Sequence, residues 1–239
     1  YGRRPCAEYE LPACAEPDPP HADFPNDWGG FADVIHIDFK IPSEHTIRGE
    51  RFDGEMQIFH LHPSRRRTPT ISVMMRASVD GHNPVLQKAL DEFQKTYNRD
   101  MYYCAVFDYS NGRKLRSTIQ NDKKYNDLDE FSNETNRELE GRIWSPYDKM
   151  LLPSIYFFRY DGSLTEPPCG EWVSWFVCDT PMLISFEQLE QMKRLIFTHI
   201  SPTCEKTSIH WKESVARPIQ DTFGRPVSQC TDEHFFPDP

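Results

Sequence analysis

At 239 residues the chain fits one large domain, and its net charge of −10 argues against a nucleic-acid partner, which would want a basic, phosphate-tracking face. No run of 18 apolar residues occurs, so the sequence predicts no membrane span. The short Arg65-Arg66-Arg67 run reads as a solvated turn after a strand.

Residues 1–33 form a proline-rich N-terminal arm, with Pro5, Pro12, Pro17, Pro19, Pro20 and Pro25, expected to be extended or looped rather than packed as strands. From Val34 to Ile41 the chain alternates. Val34, His36, Asp38 and Lys40 share one face and Ile35, Ile37, Phe39 and Ile41 the other, which is the two-residue period of a strand. Pro42 to Thr46 breaks that pattern. It resumes from Glu55 to Leu61, with Glu55, Gln57 and Phe59 opposite Met56, Ile58 and His60. Thr68–Ala77 reads as a third, strongly apolar strand.

Asn83 is a helix N-cap candidate with Pro84 at the first helical position. Leu86, Ala89, Leu90 and Phe93 recur at helical spacing and are expected in the core of a helix running to Asp100. Residues 101–147 read as an insertion: a strand-like MYYCAVFDY, then a polar, Asn-, Asp- and Lys-rich stretch. It is either a tolerated surface loop or a partner-binding one anchored by Tyr103, Phe107, Tyr109 and Trp144. Residues 221–239 form a C-terminal tail with Cys230 and Phe235-Phe236.

Residues 42–47 read PSEHTI, followed by Glu55, Gln57 and His60 in an E-x-x-x-x-H frame. Further along come Leu151-Leu152-Pro153, then YDGSLTEPPC from Tyr160 to Cys169, then Glu171, Val173 and Trp175. Ile184-Ser185, a helix from Glu187 to Leu195, and Arg217-Pro218-Ile219-Gln220 complete the series. In order and spacing this resembles the α-carbonic anhydrases, whose pattern runs Q-x-H-x-H, PSEHTI, E-x-H-x-x-H, YxGSLTTPPC, E-x-V-x-W and RPxQ. The resemblance covers residues 34–220. It implies a predominantly β, mixed α/β fold: a central twisted, mostly antiparallel sheet with peripheral helices and long surface insertions.

It also implies a lost metal site. The family's three zinc-binding histidines fall on Asp38, Lys40 and Gln57. Zinc takes imidazole, thiolate or carboxylate ligands, whereas a protonated lysine offers only donors and a glutamine amide is a poor neutral ligand. Hence no cofactor is expected, and Asp38 and Lys40 are expected to pair in the old cavity with Gln57 bridging. Glu44 and Thr165 match the family's hydrogen-bonded pair that orients the zinc-bound hydroxide and are expected as remnants. Phe59 and Glu166 replace smaller or hydroxyl residues and fill or charge the substrate side. His45 and His60 match structural positions. The family's N-terminal half has no recognisable counterpart here, so it is expected either to lie outside this sequence or to be supplied by another chain that completes the sheet.

Seven cysteines are many for a reducing compartment. By resemblance Cys169 pairs with Cys6 or Cys14. Asn133-Glu134-Thr135 is an N-glycosylation acceptor. Together these predict an extracellular or luminal protein. Tyr1 is not preceded by a methionine, as expected of a processed product or a portion of a longer one.

Three functions follow. The favoured one is a catalytically inactive domain acting as a protein-interaction or structural module, within a larger assembly. The alternative is an active zinc lyase with a relocated metal, using His36, His60 or His62 with Asp38. Strand geometry opposes this, because His60 faces away from Gln57. A different hydrolase in the same cleft lacks a nucleophile–base pair.

Overall fold

The computed structural model describes residues 20–24, 30–62, 67–110, 144–210 and 212–231, with only the backbone of 106–110. An eight-stranded sheet dominates. Its path runs β1 (His21–Asp23), β2 (Phe31–Lys40), β5 (Gly54–Leu61), β6 (Thr68–Ala77), β8 (Val173–Cys178), β7 (Phe157–Gly162) and β10 (Ser228–Cys230). Strand β9 (Met182–Ile184) also pairs with β6. The β6–β8 and β6–β9 ladders are parallel and the others antiparallel. Two short strands, β3 (Thr46–Ile47) and β4 (Glu50–Arg51), form a separate ribbon. The fold expected from the sequence is the one observed.

Helices α1 (Pro84–Ser110) and α2 (Phe186–Phe197) pack on one sheet face. Asn83 starts α1 as expected: its Oδ1 accepts from the Leu86 amide at 3.0 Å. Ser185 and Gln188 cap α2 reciprocally in a capping box. Met56, Ile58, Val73 and Met75 from the sheet meet Leu86, Leu90, Leu189 and Met192 from the helices, all buried. Phe93, expected in that core, is half exposed and rests edge-on against Phe39. On the opposite sheet face, Phe52, Phe59, Met74, Trp175 and Val177 form a second cluster. The strand alternation therefore sends Glu55, Gln57 and Phe59 away from the helices, as the sequence predicts.

Four expectations are corrected. MYYCAVFDY is not a strand: α1 continues through it to Ser110. Tyr97 and Cys104 are buried along that helix while Tyr102 and Tyr103 are exposed, a helical rather than alternating pattern. Val34 does not share the face of His36, because a register shift lies between them; Val34 pairs with His60 and packs toward the helices. The arm is not wholly unpaired, since His21–Asp23 joins the sheet beside β2 and Phe24 is buried. Trp144 is no partner anchor: it packs against the main core and its Nε1 donates to the Val85 carbonyl at 3.0 Å.

A disulfide joins Cys104 on α1 to Cys204 across 100 residues. Cys169 carries a free thiol, so its expected pairing is not found; Cys6 and Cys14 lie outside the described residues. Asn133, Phe107, Tyr109, Arg65 and Arg66 also fall outside what is described for side chains.

Candidate functional site

Asp38 and Gln57 are direct cross-strand partners in the β2–β5 ladder, and Lys40 faces Glu55 two residues on. One face therefore collects all three residues expected at the ligand positions, together with Glu55. Lys40 is almost fully buried, at 4% exposure. Its Nζ lies 3.4 Å from Asp38 Oδ2 and closer still to Glu166 Oε1, to which it donates. Burial alone would lower its pKa, but the Glu166 hydrogen bond and the Asp38, Glu44 and Glu166 charges outweigh it and raise the value. Lys40 is thus an ammonium.

Gln57 does not bridge that pair. Its Nε2 donates to Glu44 Oε2 at 2.9 Å and Glu55 Oε1 at 2.7 Å. Two carboxylates fix the amide's orientation, because its oxygen facing either would be repelled. Gln57 Oε1 is buried without a hydrogen-bond partner among the described residues. Glu44 is not held by Thr165. Its second oxygen accepts from the Arg217 amide at 2.9 Å, while Thr165 lines a neighbouring pocket.

Glu55 is the electrostatic centre of this face. It is fully buried and accepts five hydrogen bonds: from the Glu44 and His45 amides at 2.8 and 2.9 Å, His45 Nδ1 at 2.7 Å, Gln57 Nε2 at 2.7 Å and Ser72 Oγ at 2.8 Å. Burial would raise its pKa, but His45 and the converging donors hold it at about 2. Reciprocally, burial would lower the His45 pKa and the Glu55 charge raises it. His45 Nε2 continues the chain to the Tyr160 hydroxyl at 2.7 Å. The alternation already placed Glu55 beside Gln57 in the sequence. Glu166 as partner of Lys40 and Tyr160 as partner of His45 were not legible there.

Phe59 is buried between Trp175 and His36, whose ring stacks on it at 4.6 Å. The remaining histidines do not assemble a second metal set. His36 Nε2 is 3.8 Å from Asp38 Oδ1. His60 lies on the helix side, bonded to the Pro69 carbonyl at 3.1 Å and the Tyr147 hydroxyl at 2.7 Å, and burial lowers its pKa to about 4. Among the described residues, no three His, Cys, Asp or Glu side chains come together as a metal-holding group. A zinc ion therefore fits poorly here. Asp38 is one acceptable ligand, Lys40 presents a positive charge, and Gln57 offers only an amide oxygen.

A family model described as eukaryotic-type carbonic anhydrase matches residues 115–231. Alpha carbonic anhydrase 4 of Arabidopsis thaliana is 25% identical over 194 residues, covering 81% of this chain and 52% of that protein. Over most of its length the chain is similar to the α-carbonic anhydrases. Dioscorin dioA3 of Dioscorea japonica is 27% identical over 160 residues, covering 67% of this chain and 45% of its own length. Among solved structures, a hyperthermostable carbonic anhydrase from a hydrothermal vent chimney superposes with a TM-score of 0.50 at 21% identity, covering 84% of this chain and 65% of its own. The chain spans about half the length of these curated relatives.

Proposed function

We propose that this is a non-catalytic member of the family, with Asp38, Lys40 and Gln57 at the positions of the lost zinc ligands, Glu44 and Thr165 as remnants, and no resident metal. Its role is that of a protein-interaction or structural module in an extracellular or luminal assembly. One observation carries the reading: a buried ammonium, Lys40, occupies the ligand face and is held there by Glu166 and Asp38. Hydration chemistry in this family depends on lowering the pKa of a metal-bound water to about 7. A divalent cation beside that ammonium would be repelled, and the acidic groups that would attract it are already matched by Lys40, His45 and Gln57.

The Cys104–Cys204 disulfide supports an oxidising compartment. The interaction role is supported by the outer edge of β2. From Ile35 to Lys40 no described strand pairs with it, and nearby Phe31, Ile35 and Leu61 are more than half exposed. A relocated metal site is disfavoured by His60, which is neutral, engaged and on the opposite face.

Metal analysis of the purified protein, paired with a carbon dioxide hydration assay, tests the proposal. We expect no stoichiometric zinc and no hydration above background. One zinc per chain with measurable activity overturns it. Co-purification under non-denaturing conditions tests the partner claim, and a protein recovered alone at every stage from its native source counts against it.

A further inference from the structure

A pocket of about 370 Å3 lies between the β3 ribbon, strands β7 and β8, and the C-terminal run from Arg217 to Gln229. Glu44 and Thr165 reach its lining, whereas Asp38, Lys40 and Gln57 do not. Ile47, Phe158, Val177 and Val227 supply apolar wall. Three arginines, Arg48, Arg217 and Arg225, stand against two acids, Glu44 and Asp221.

The charges do not cancel locally. Arg225 pairs with Glu171, but Arg48 and Arg217 make no ion pair among the described residues. Among the described residues, Arg217 Nη1 donates only to neutral acceptors, Ser163 Oγ at 3.0 Å and the Leu164 carbonyl at 3.4 Å. A guanidinium carries five N–H donors in a planar fork, so several remain for a ligand. Both acids already accept hydrogen bonds: Glu44 from Gln57 and the Arg217 amide, Asp221 from the Phe223 amide at 3.2 Å. The Tyr160 hydroxyl, also in the lining, makes a single bond among the described residues, to His45. An unmatched guanidinium and a phenol beside an apolar wall suit an anion with a hydrophobic body. The volume falls in the range of small-molecule sites.

We propose that this pocket binds a small organic carboxylate, its anionic head on Arg217 beside Tyr160 and its apolar body against Phe158, Val177 and Val227. The site is independent of whether the domain holds zinc.

The test titrates 2-naphthoate, and its neutral counterpart 2-naphthamide, into the full chain by calorimetry at low salt. Naphthoate is expected to saturate at one per chain. Naphthamide should bind roughly tenfold or more weakly, because charge-assisted hydrogen bonds to a guanidinium are lost. Arg217→Gln should lower naphthoate affinity by roughly the same factor and leave naphthamide unchanged. Val227→Trp, at a position 53% exposed and so tolerant of size, should weaken both by filling the pocket. Equal affinity for the two ligands on the wild-type protein overturns the proposal, as does the absence of saturation at millimolar naphthoate. Since Arg217→Gln also removes the bonds to Ser163 and Leu164, the wild-type ligand ratio and Val227→Trp decide the matter if that variant does not fold.

Discussion

Lys40 on β2 and Glu166, 126 positions later in the chain, form an ion pair in which the ammonium is 5% exposed and the carboxylate 67%. The asymmetry matters. Glu166 can recover its hydration when the pair is broken, whereas Lys40 cannot without moving the strand. Removing the acid therefore costs more than an exposed pair would, because it leaves a buried cation with Asp38 alone.

Glu166→Gln is accordingly expected to destabilise the domain by about 1–3 kcal/mol at pH 7. Lys40→Met should cost less, since the two acids it abandons are partly solvated and a linear apolar chain fits the same slot. The Lys40 pKa is raised in the fold, so its contribution is fully present below the unfolded value of about 10.4 and is lost only as pH rises through the folded value. Urea midpoints at pH 7 thus register the whole effect. Equal midpoints for Glu166→Gln and wild type would show that the ammonium is not held by Glu166.

Glu55 predicts an acid transition. Its folded pKa of about 2 lies below the ordinary 4.5, so the stabilisation is present above 4.5 and drains away as pH falls from there toward about 2. The whole shift is worth on the order of 3 kcal/mol. Glu55→Gln should unfold more easily at pH 7 and show a flatter stability profile between pH 4.5 and 2. His45 runs with the opposite sign: its pKa is raised, so its share is present below 6.5 and lost as pH rises through the folded value. Parallel acid profiles for wild type and Glu55→Gln would remove Glu55 from this role.

The parts of this site that were legible in the sequence are those set by the two-residue period. Asp38, Lys40, Glu55 and Gln57 lie on two neighbouring strands, and alternation alone puts them on one face. Their partners come from elsewhere in the chain. Glu166 follows the end of β7, Tyr160 lies on β7, and Arg217 sits in an irregular run, so no local pattern ties them to β2 or β5. Misreading MYYCAVFDY as a strand has a similar origin: aromatic residues favour strands in isolation, yet Tyr97 and Cys104 pack at helical spacing and the Cys204 bridge pins that turn.

The Cys104–Cys204 bridge closes a loop of 100 residues, which in the chain-entropy model is worth up to about 4.7 kcal/mol. Cys104→Ala with Cys204→Ala should lower the melting temperature, and reductant should do the same to wild type but not to the double variant. Mass-mapped alkylation of the native protein should label Cys169 before Cys178, which is buried with its pKa raised by desolvation. A reductant-insensitive wild type, or Cys178 reacting first, would contradict these assignments.

The ligand positions can be tested by rebuilding them. Lys40→His alone leaves Asp38, one imidazole and Gln57, a set too weak for stoichiometric zinc. It also strips Glu166 and Asp38 of their cation, at a cost of about 1–2 kcal/mol, because Asp38 is 29% and Glu166 67% exposed and both can resolvate. The triple change Asp38→His, Lys40→His, Gln57→His places three imidazoles on one face of two hydrogen-bonded strands. Glu55, already an acceptor from position 57, is placed to take an N–H from the new imidazole there and fix its tautomer. This variant is expected to retain about one zinc per chain after dialysis, where wild type and the single variant retain none. Hydration activity should stay weak, because Glu166 still brings a negative charge to the site and Phe59 remains packed under His36. Adding Glu166→Thr to the triple variant should raise that activity. If the triple variant takes up no zinc, Asp38, Lys40 and Gln57 are not the family's ligand positions, and the ammonium at Lys40 is a feature of the strand rather than the replacement of a metal.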